Sequence, residues 1–97
     1  MAMYNPPHPG EFIIQVYLNP NNLSDRELAV KLGVAASTLN RILTGTSRIS
    51  PEMALRLSKV LDRSAESWLA MQYNHDLWQA RQHVKLGKVG KVRLTAA

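Results

Sequence analysis

The chain contains no cysteine among its 97 residues. Disulfide bridges, thiolate metal sites and cysteine nucleophiles are therefore excluded, and the absence of cysteine is compatible with a reducing compartment. Long apolar runs are also missing, because no segment approaches the roughly 18 apolar residues that a membrane span needs. The first ten residues have neither the basic stretch nor the apolar run of a signal peptide. A length of 97 residues predicts one domain with a single modest core, and these absences predict that it is soluble and cytoplasmic.

Catalytic and metal-binding patterns are lacking as well. No set of Ser, His and Asp has catalytic spacing, and no glycine-rich phosphate loop is present. The three histidines, His8, His75 and His83, are too scattered along the chain for a zinc site. The sequence thus predicts no enzyme, no bound metal and no other cofactor.

Acidic residues are unevenly distributed, and this matters more than the net charge of +5. Residues 37–63 contain five basic residues against two acidic ones, and residues 84–97 contain four basic residues and no acidic one. Clustered positive charge favours a nucleic-acid partner. Most of the excess charge lies in the last segment, but the middle cluster coincides with the segment that we predict to contact DNA.

The last segment is predicted to be a basic, flexible tail over residues 84–97, following a domain over residues 1–83. Its basic residues recur at every third position from Lys85 to Lys91, interrupted by glycines that oppose a stable helix. A solvated end is one interpretation. In the other, apolar residues of the tail add an edge strand to a partner while the lysines meet phosphate or acid.

The apolar spacing predicts helices throughout and no strands. Pro6, Pro7 and Pro9 are expected to keep the first ten residues out of helix one. The Ser50-Pro51 pair begins helix four with a capping hydroxyl and a proline at the first helical position. Ser64, by the same logic, caps a fifth helix that frays after Arg81.

Two short helices around Gly33 have the layout of a DNA-reading helix-turn-helix. Ser24 and Glu27 form a capping box at the start of helix two. Gly33 ends this helix because glycine enters the left-handed region without steric cost. Val34 is expected to begin helix three, which Gly45 ends. Helices this short are unstable alone, so the other three are predicted to brace them.

Polar side chains on the outer face of helix three are the predicted DNA-reading residues. Arg41 can pair bidentately with guanine or neutralise a phosphate, and Asn40 can read adenine. The start of helix four can add amide donors for phosphate. The predicted base-reading residues are Ser37, Thr38, Asn40 and Arg41. The predicted phosphate contacts are Ser24, Thr46, Ser47 and Arg48.

The segment LSDRELAVKLGVAASTLNRILTG, residues 23–45, resembles the helix-turn-helix of the phage-repressor-like (Cro/CI, XRE) regulators. Three flanking blocks resemble the HigA-type antitoxins of bacterial toxin–antitoxin modules: HPGEFI at 8–13, ISPEMALRLSKVL at 49–61 and SWLAMQYNHDLW at 67–78. The resemblance implies an all-α, five-helix lambda-repressor-like domain. It also implies a homodimer that binds double-stranded operator DNA in its own promoter and neutralises a small toxin, in that family a ribosome-dependent mRNA-cleaving nuclease.

Three positions depart from the family pattern. Asp25 stands where glutamine often braces against phosphate, and Ala35 and Ala36 stand where a long polar residue usually reaches base edges. Alanine can only touch a thymine methyl group or leave room. These residues leave open a protein-interaction module that has lost DNA binding. A stand-alone repressor without a toxin partner also stays open, because it would share the helix-turn-helix segment.

The two tryptophans bear on partner binding. Trp68 and Trp78 lie ten residues apart on helix five, so they cannot share one face. We expect one in the core and the other at an interface or the surface, with partial burial against helix one as the alternative. Both are candidates for a dimer or toxin interface. In a dimer, recognition helices in successive major grooves require half-sites about 34 Å apart, which predicts an inverted repeat upstream of the gene.

Overall fold

The computed structural model describes residues 5–95, and every regular element within this range is a helix. The elements are α1 (Pro9–Ile13), a π-helical segment (Ile14–Leu18), α2 (Asp25–Leu32), α3 (Ala36–Leu43), α4 (Pro51–Val60) and α5 (Ala65–His83). The predicted all-α, five-helix fold is thus confirmed. No helix in the described range is both long and apolar enough to cross a membrane.

Helix α1 begins earlier than the sequence predicted. Pro9 is its first residue, and His8 caps it by accepting a hydrogen bond at Nδ1 from the Gly10 amide at 2.9 Å. The expectation that the prolines keep the first ten residues out of a helix was wrong at this position, because the fixed φ of proline suits the first helical residue. The helix continues as a π-helical turn, in which the Asn19 amide donates to the Ile14 carbonyl at 2.9 Å.

Three helices are capped by the serines that the sequence indicated. Ser24 and Glu27 form the capping box of α2: the Ser24 hydroxyl accepts from the Glu27 amide at 3.1 Å, and the Glu27 carboxylate accepts from the Ser24 amide at 3.4 Å. Ser50 and Ser64 cap α4 and α5, each accepting from the amide three residues further on at 3.1 Å. These bonds satisfy amides that have no partner inside the helix.

One hydrophobic core joins all five helices, and Trp68 of α5 is fully buried in it. The rings of Phe12 and Tyr17 lie 6.0 Å from the Trp68 ring. Trp68 is therefore the core tryptophan, and its prediction as an interface residue is corrected because it offers no surface to a partner. Trp78 is partly buried. The buried apolar residues are Ile13, Leu18, Leu28, Ala29, Leu32, Leu39, Ile42, Ile49, Met53, Ala54, Leu57 and Trp68.

Gly10 allows α1 to lie directly on the backbone at the end of α3. A Cβ atom at this position would lie 2.8 Å from both the Ile42 carbonyl carbon and the Leu43 Cα, far inside normal contact distance. A larger residue cannot fit without moving one helix away from the other. The contact fixes the C-terminal end of α3 against the rest of the domain.

Residues 84–95 follow α5 without forming helix or strand, and all of them are exposed. A Cβ atom built on Gly87 or Gly90 would meet open space. The division into a domain over 1–83 and a tail over 84–97 stays a prediction, and its final two residues lie outside the described range.

Candidate nucleic-acid interface

The turn between α2 and α3 consists of three residues, Gly33 to Ala35. Gly33 adopts the left-handed conformation, with φ 72° and ψ 33°, as the sequence indicated. The Val34 amide donates to the Ala29 carbonyl at 3.1 Å, which completes the end of α2. Helix α3 begins at Ala36 instead of Val34, because Val34 belongs to this turn. The lengths of both helices and the turn match a helix-turn-helix.

Arg56 of α4 holds this turn in place. Its Nη1 donates to the Leu32 carbonyl at 2.8 Å and to the Gly33 carbonyl at 3.3 Å, and its Nε lies 3.5 Å from a Glu52 carboxylate oxygen. Carbonyls at a helix C-terminus carry partial negative charge and have no partner within the helix. The guanidinium satisfies them and links α4 to the turn. Sequence reasoning counted Arg56 only as part of a basic cluster.

Helix α3 separates buried apolar residues from exposed polar ones. Leu39 is fully buried and Ile42 is 3% exposed. The four predicted base-reading side chains all lie on the exposed side, and none forms a hydrogen bond or ion pair with another residue of the range 5–95. Their donors and acceptors are free for a ligand. The four residues are Ser37, Thr38, Asn40 and Arg41.

The loop after α3 folds back onto the end of that helix. The amides of Thr46 and Ser47 both donate to the Arg41 carbonyl, at 2.8 and 3.0 Å. The hydroxyls of Thr44 and Thr46 lie 3.0 Å apart. Gly45, with φ 81°, makes the reversal possible. Thr46 and Ser47, two of the four predicted phosphate contacts, are therefore brought next to the exposed face of α3.

The side chains of the other two predicted phosphate contacts, Arg48 and Ser24, lie against acidic residues of the chain. Arg48 Nη2 lies 2.7 Å from Asp76 Oδ2, although the Arg48 side chain stays 66% exposed. The Ser24 hydroxyl lies 3.0 Å from the Glu27 carboxylate. Neither residue's role towards phosphate is tested by these contacts, so both roles stay predictions.

A buried glutamine of α5 connects this loop to the core. Gln72 is 2% exposed, and its Oε1 accepts from the Ile49 amide at 2.9 Å. Its Nε2 donates to Asp76 Oδ1 at 3.0 Å. Sequence reasoning missed this residue. The available signal was a polar side chain one helical turn after Trp68, on the side of α5 that faces inwards.

His8 lies beside the same region, against α5. Its ring centroid is 5.1 Å from that of His75. Burial is the main cause that lowers the pKa of His8 below its ordinary value of 6.5, and the charge of His75 acts in the same direction, whereas Asp76 and Glu11 oppose both. A neutral ring fits the geometry, since Nδ1 must accept the hydrogen bond that caps α1. Among residues 5–95, no three side chains are grouped to hold a metal ion.

Comparisons with known proteins agree with this geometry. Residues 14–68 match the helix-turn-helix family. The chain is 39% identical over 92 residues to the uncharacterized HTH-type transcriptional regulator YddM of Escherichia coli K12, covering 95% of this chain and 97% of that protein.

Solved structures of antitoxins share the fold. Antitoxin GraA in complex with its operator is 38% identical with a TM-score of 0.82, and the match covers 100% of this chain and 97% of that one. Pseudomonas aeruginosa antitoxin HigA with the higBA promoter is 36% identical with a TM-score of 0.77, covering 86% and 88%. The resemblance predicted from the sequence blocks is thus confirmed. This chain belongs to the XRE-type helix-turn-helix family of DNA-binding proteins.

Proposed function

We propose that this protein is the antitoxin of a type II toxin–antitoxin module, which binds an operator in its own promoter as a dimer and neutralises an mRNA-cleaving toxin. The observation that carries the proposal is the polar face of α3, which is exposed and held on a braced turn. The likeness to operator-bound GraA supports it over the whole chain.

In this proposal, α3 lies in the major groove. Arg41 reads guanine through O6 and N7, and Asn40 reads adenine. Ser37 and Thr38, one helical turn earlier, contact base edges nearer the start of the helix. The exposed alanines at the start of α3 leave base reading to these four polar residues.

Phosphate contacts position α3 without reading sequence. We assign them to Thr46, Ser47 and Arg48 in the loop after α3, and to Ser24 at the start of α2. The amides at the start of α4 add donors where the helix dipole favours an anion. The two ends of the helix-turn-helix would thereby contact the DNA backbone.

We assign the dimer contact to the outer side of α5. Tyr73 and Leu77 lie one helical turn apart there and are 70% and 48% exposed. Exposed apolar pairs of this kind favour a protein interface, and Trp78 stays a candidate for the same contact. Replacing Tyr73 and Leu77 with glutamate is expected to convert dimers to monomers in sedimentation velocity, whereas an unchanged dimer would reject this surface.

DNA binding is tested on a fragment of the protein's own promoter. Footprinting should protect an inverted repeat whose half-sites are centred about 34 Å, or 10–10.5 base pairs, apart. Protection of one half-site, or none, would contradict the dimeric operator complex.

A stand-alone repressor is the second candidate, and the likeness to the HTH-type transcriptional regulator YddM favours it. The two candidates differ in one partner. An antitoxin co-purifies with the product of a short adjoining gene for a basic protein and suppresses that product's mRNA cleavage. The absence of such a gene, or of that complex, would leave the repressor.

A further inference from the structure

Arg48 differs from the other exposed residues of the predicted DNA surface, because α5 restrains it. Its guanidinium pairs with Asp76 at 2.7 Å, yet the side chain stays 66% exposed. Asp76 Oδ2 has no hydrogen-bond partner, so the contact is an ion pair that leaves the N–H donors of the guanidinium available to a second anion. The attraction keeps the guanidinium beside α5 while it can still bind phosphate.

The carboxylate that holds Arg48 is itself fixed. Asp76 Oδ1 accepts from Gln72 Nε2 at 3.0 Å, and Gln72 Oε1 accepts from the Ile49 amide at 2.9 Å. Gln72 is 2% exposed, so both ends of its amide need these partners. A continuous set of polar contacts thus runs from the Ile49 amide through Gln72 and Asp76 to the Arg48 guanidinium. It begins and ends in the loop after α3.

We propose that Asp76 and Gln72 are positioning residues that orient Arg48 for a phosphate of the DNA backbone. The proposal rests on the DNA-binding function proposed above and assigns a role to two residues that make no DNA contact in it. Immobilising a long side chain at an interface opposes binding. Because the fold already restrains Arg48, part of that cost is absent when DNA binds.

Asp76 would act in the opposite way if it competed with phosphate for Arg48. Affinity of the single variant Asp76→Asn does not separate the two roles, because removing a carboxylate also removes its repulsion of DNA. A double-mutant cycle with Arg48→Gln cancels that repulsion, since it is present in both backgrounds. The sign of the coupling then distinguishes positioning from competition.

The experiment measures operator affinity of the unaltered protein, Arg48→Gln, Asp76→Asn and the double variant. The amide oxygen that Asp76→Asn introduces can still accept from Gln72, so the fold is preserved, and thermal unfolding checks this. We expect the change in operator affinity that Asp76→Asn causes to be about three- to tenfold less favourable when Arg48 is present than in the Arg48→Gln background. Asp76→Glu, which keeps the charge, is expected to restore part of the coupling.

Coupling that is absent or of opposite sign would overturn the positioning role. Arg41→Ala serves as the reference for the DNA-binding function itself. If Arg41→Ala and Arg48→Gln weaken binding but the cycle shows no coupling, only the positioning role fails. If neither weakens binding, the proposed DNA surface fails and the positioning role fails with it.

Discussion

Helix α3 and the segment 84–95 both present exposed polar or basic side chains, but only α3 is held in a fixed position. Its reverse side is buried through Leu39 and Ile42, Gly10 brings α1 against its end, and Arg56 holds the turn before it. Residues 84–95 are exposed throughout and contain no regular element. A fixed side chain can select a base, whereas an unconstrained cation supplies attraction that depends mainly on salt.

The distribution of charge along the chain therefore does not indicate which residues read the DNA sequence. Four of the 12 basic residues lie beyond residue 83, with no acidic residue among them. The polar face of α3 contributes a single cation, Arg41. The helix-turn-helix is indicated by caps, a left-handed glycine and buried apolar residues, while the high pI mainly reflects the tail.

Glycines in the two regions should respond very differently to substitution. Gly10→Ala is expected to destabilise the fold by about 3 kcal/mol or more, because the added methyl group collides with the backbone of α3. Gly87→Ala, which adds a methyl group in open space, is the matched control and should change stability by less than about 0.5 kcal/mol. Urea unfolding of both variants checks this, and equal losses would contradict the packing of α1 on α3.

Removing the arginine that braces the turn should have the next largest effect. Arg56→Ala leaves the Leu32 and Gly33 carbonyls without their donor and is expected to cost about 1–2 kcal/mol in the free energy of unfolding. Lys59→Ala, an exposed cation of the same helix, is the control. If both variants lose the same stability, Arg56 does not brace the helix-turn-helix.

Removing residues 84–97 tests whether the tail supplies only charge. We expect affinity to fall roughly tenfold at low salt for operator and unrelated DNA alike, and the slope of log K against log salt to flatten by about one or more. Unfolding should be unchanged, since the described part of the tail buries nothing. An unchanged slope would show that the tail does not meet DNA, and a selective loss of operator binding would give it a role in sequence reading.

The smallest expected effect is on the pH dependence of the free energy of unfolding. The pKa of His8 is lowered by burial and by His75, so the folded state favours the neutral ring. The contribution of neutral His8 to the free energy of unfolding is then fully present above pH 6.5, the ordinary pKa of histidine, and it is lost as the pH falls through the lowered pKa. His8→Asn retains a capping acceptor and should weaken this decline, whereas His83→Asn at the exposed end of α5 should not. Identical pH profiles of the free energy of unfolding for the unaltered protein and His8→Asn would contradict this role of His8.

Helix caps, the glycine that ends α2 and the exposed side of α3 were predicted from local features of the sequence, whereas the starts of α1 and α3 were not. Ser24, Ser50 and Ser64 cap helices because a hydroxyl and an amide three residues apart meet without help from the rest of the chain. Gly33 likewise needs only its own backbone to end α2. The exposed side of α3 followed from helical periodicity.

Contacts between distant parts of the chain were not predicted. The Arg56 bond to the Leu32 carbonyl spans 24 residues, and the Gln72 bond to the Ile49 amide spans 23. Such partners depend on how the helices cross, which periodicity does not specify. For the same reason, the sequence could not decide which tryptophan is buried or why a glycine follows Pro9. The residues that brace the site were therefore found only in the structure.

The central claim is that the fixed face of α3 reads DNA sequence. Its most direct test measures the affinity of Arg41→Ala for the operator and for unrelated DNA at one salt concentration, with Arg81→Ala of α5 as a matched loss of one exposed arginine. We expect Arg41→Ala to lower the operator-to-unrelated affinity ratio about ten- to a hundredfold, as for loss of a base contact worth about 1–3 kcal/mol. Arg81→Ala should leave the ratio unchanged. If Arg41→Ala also preserves the ratio, Arg41 does not read the operator, and the claim is contradicted.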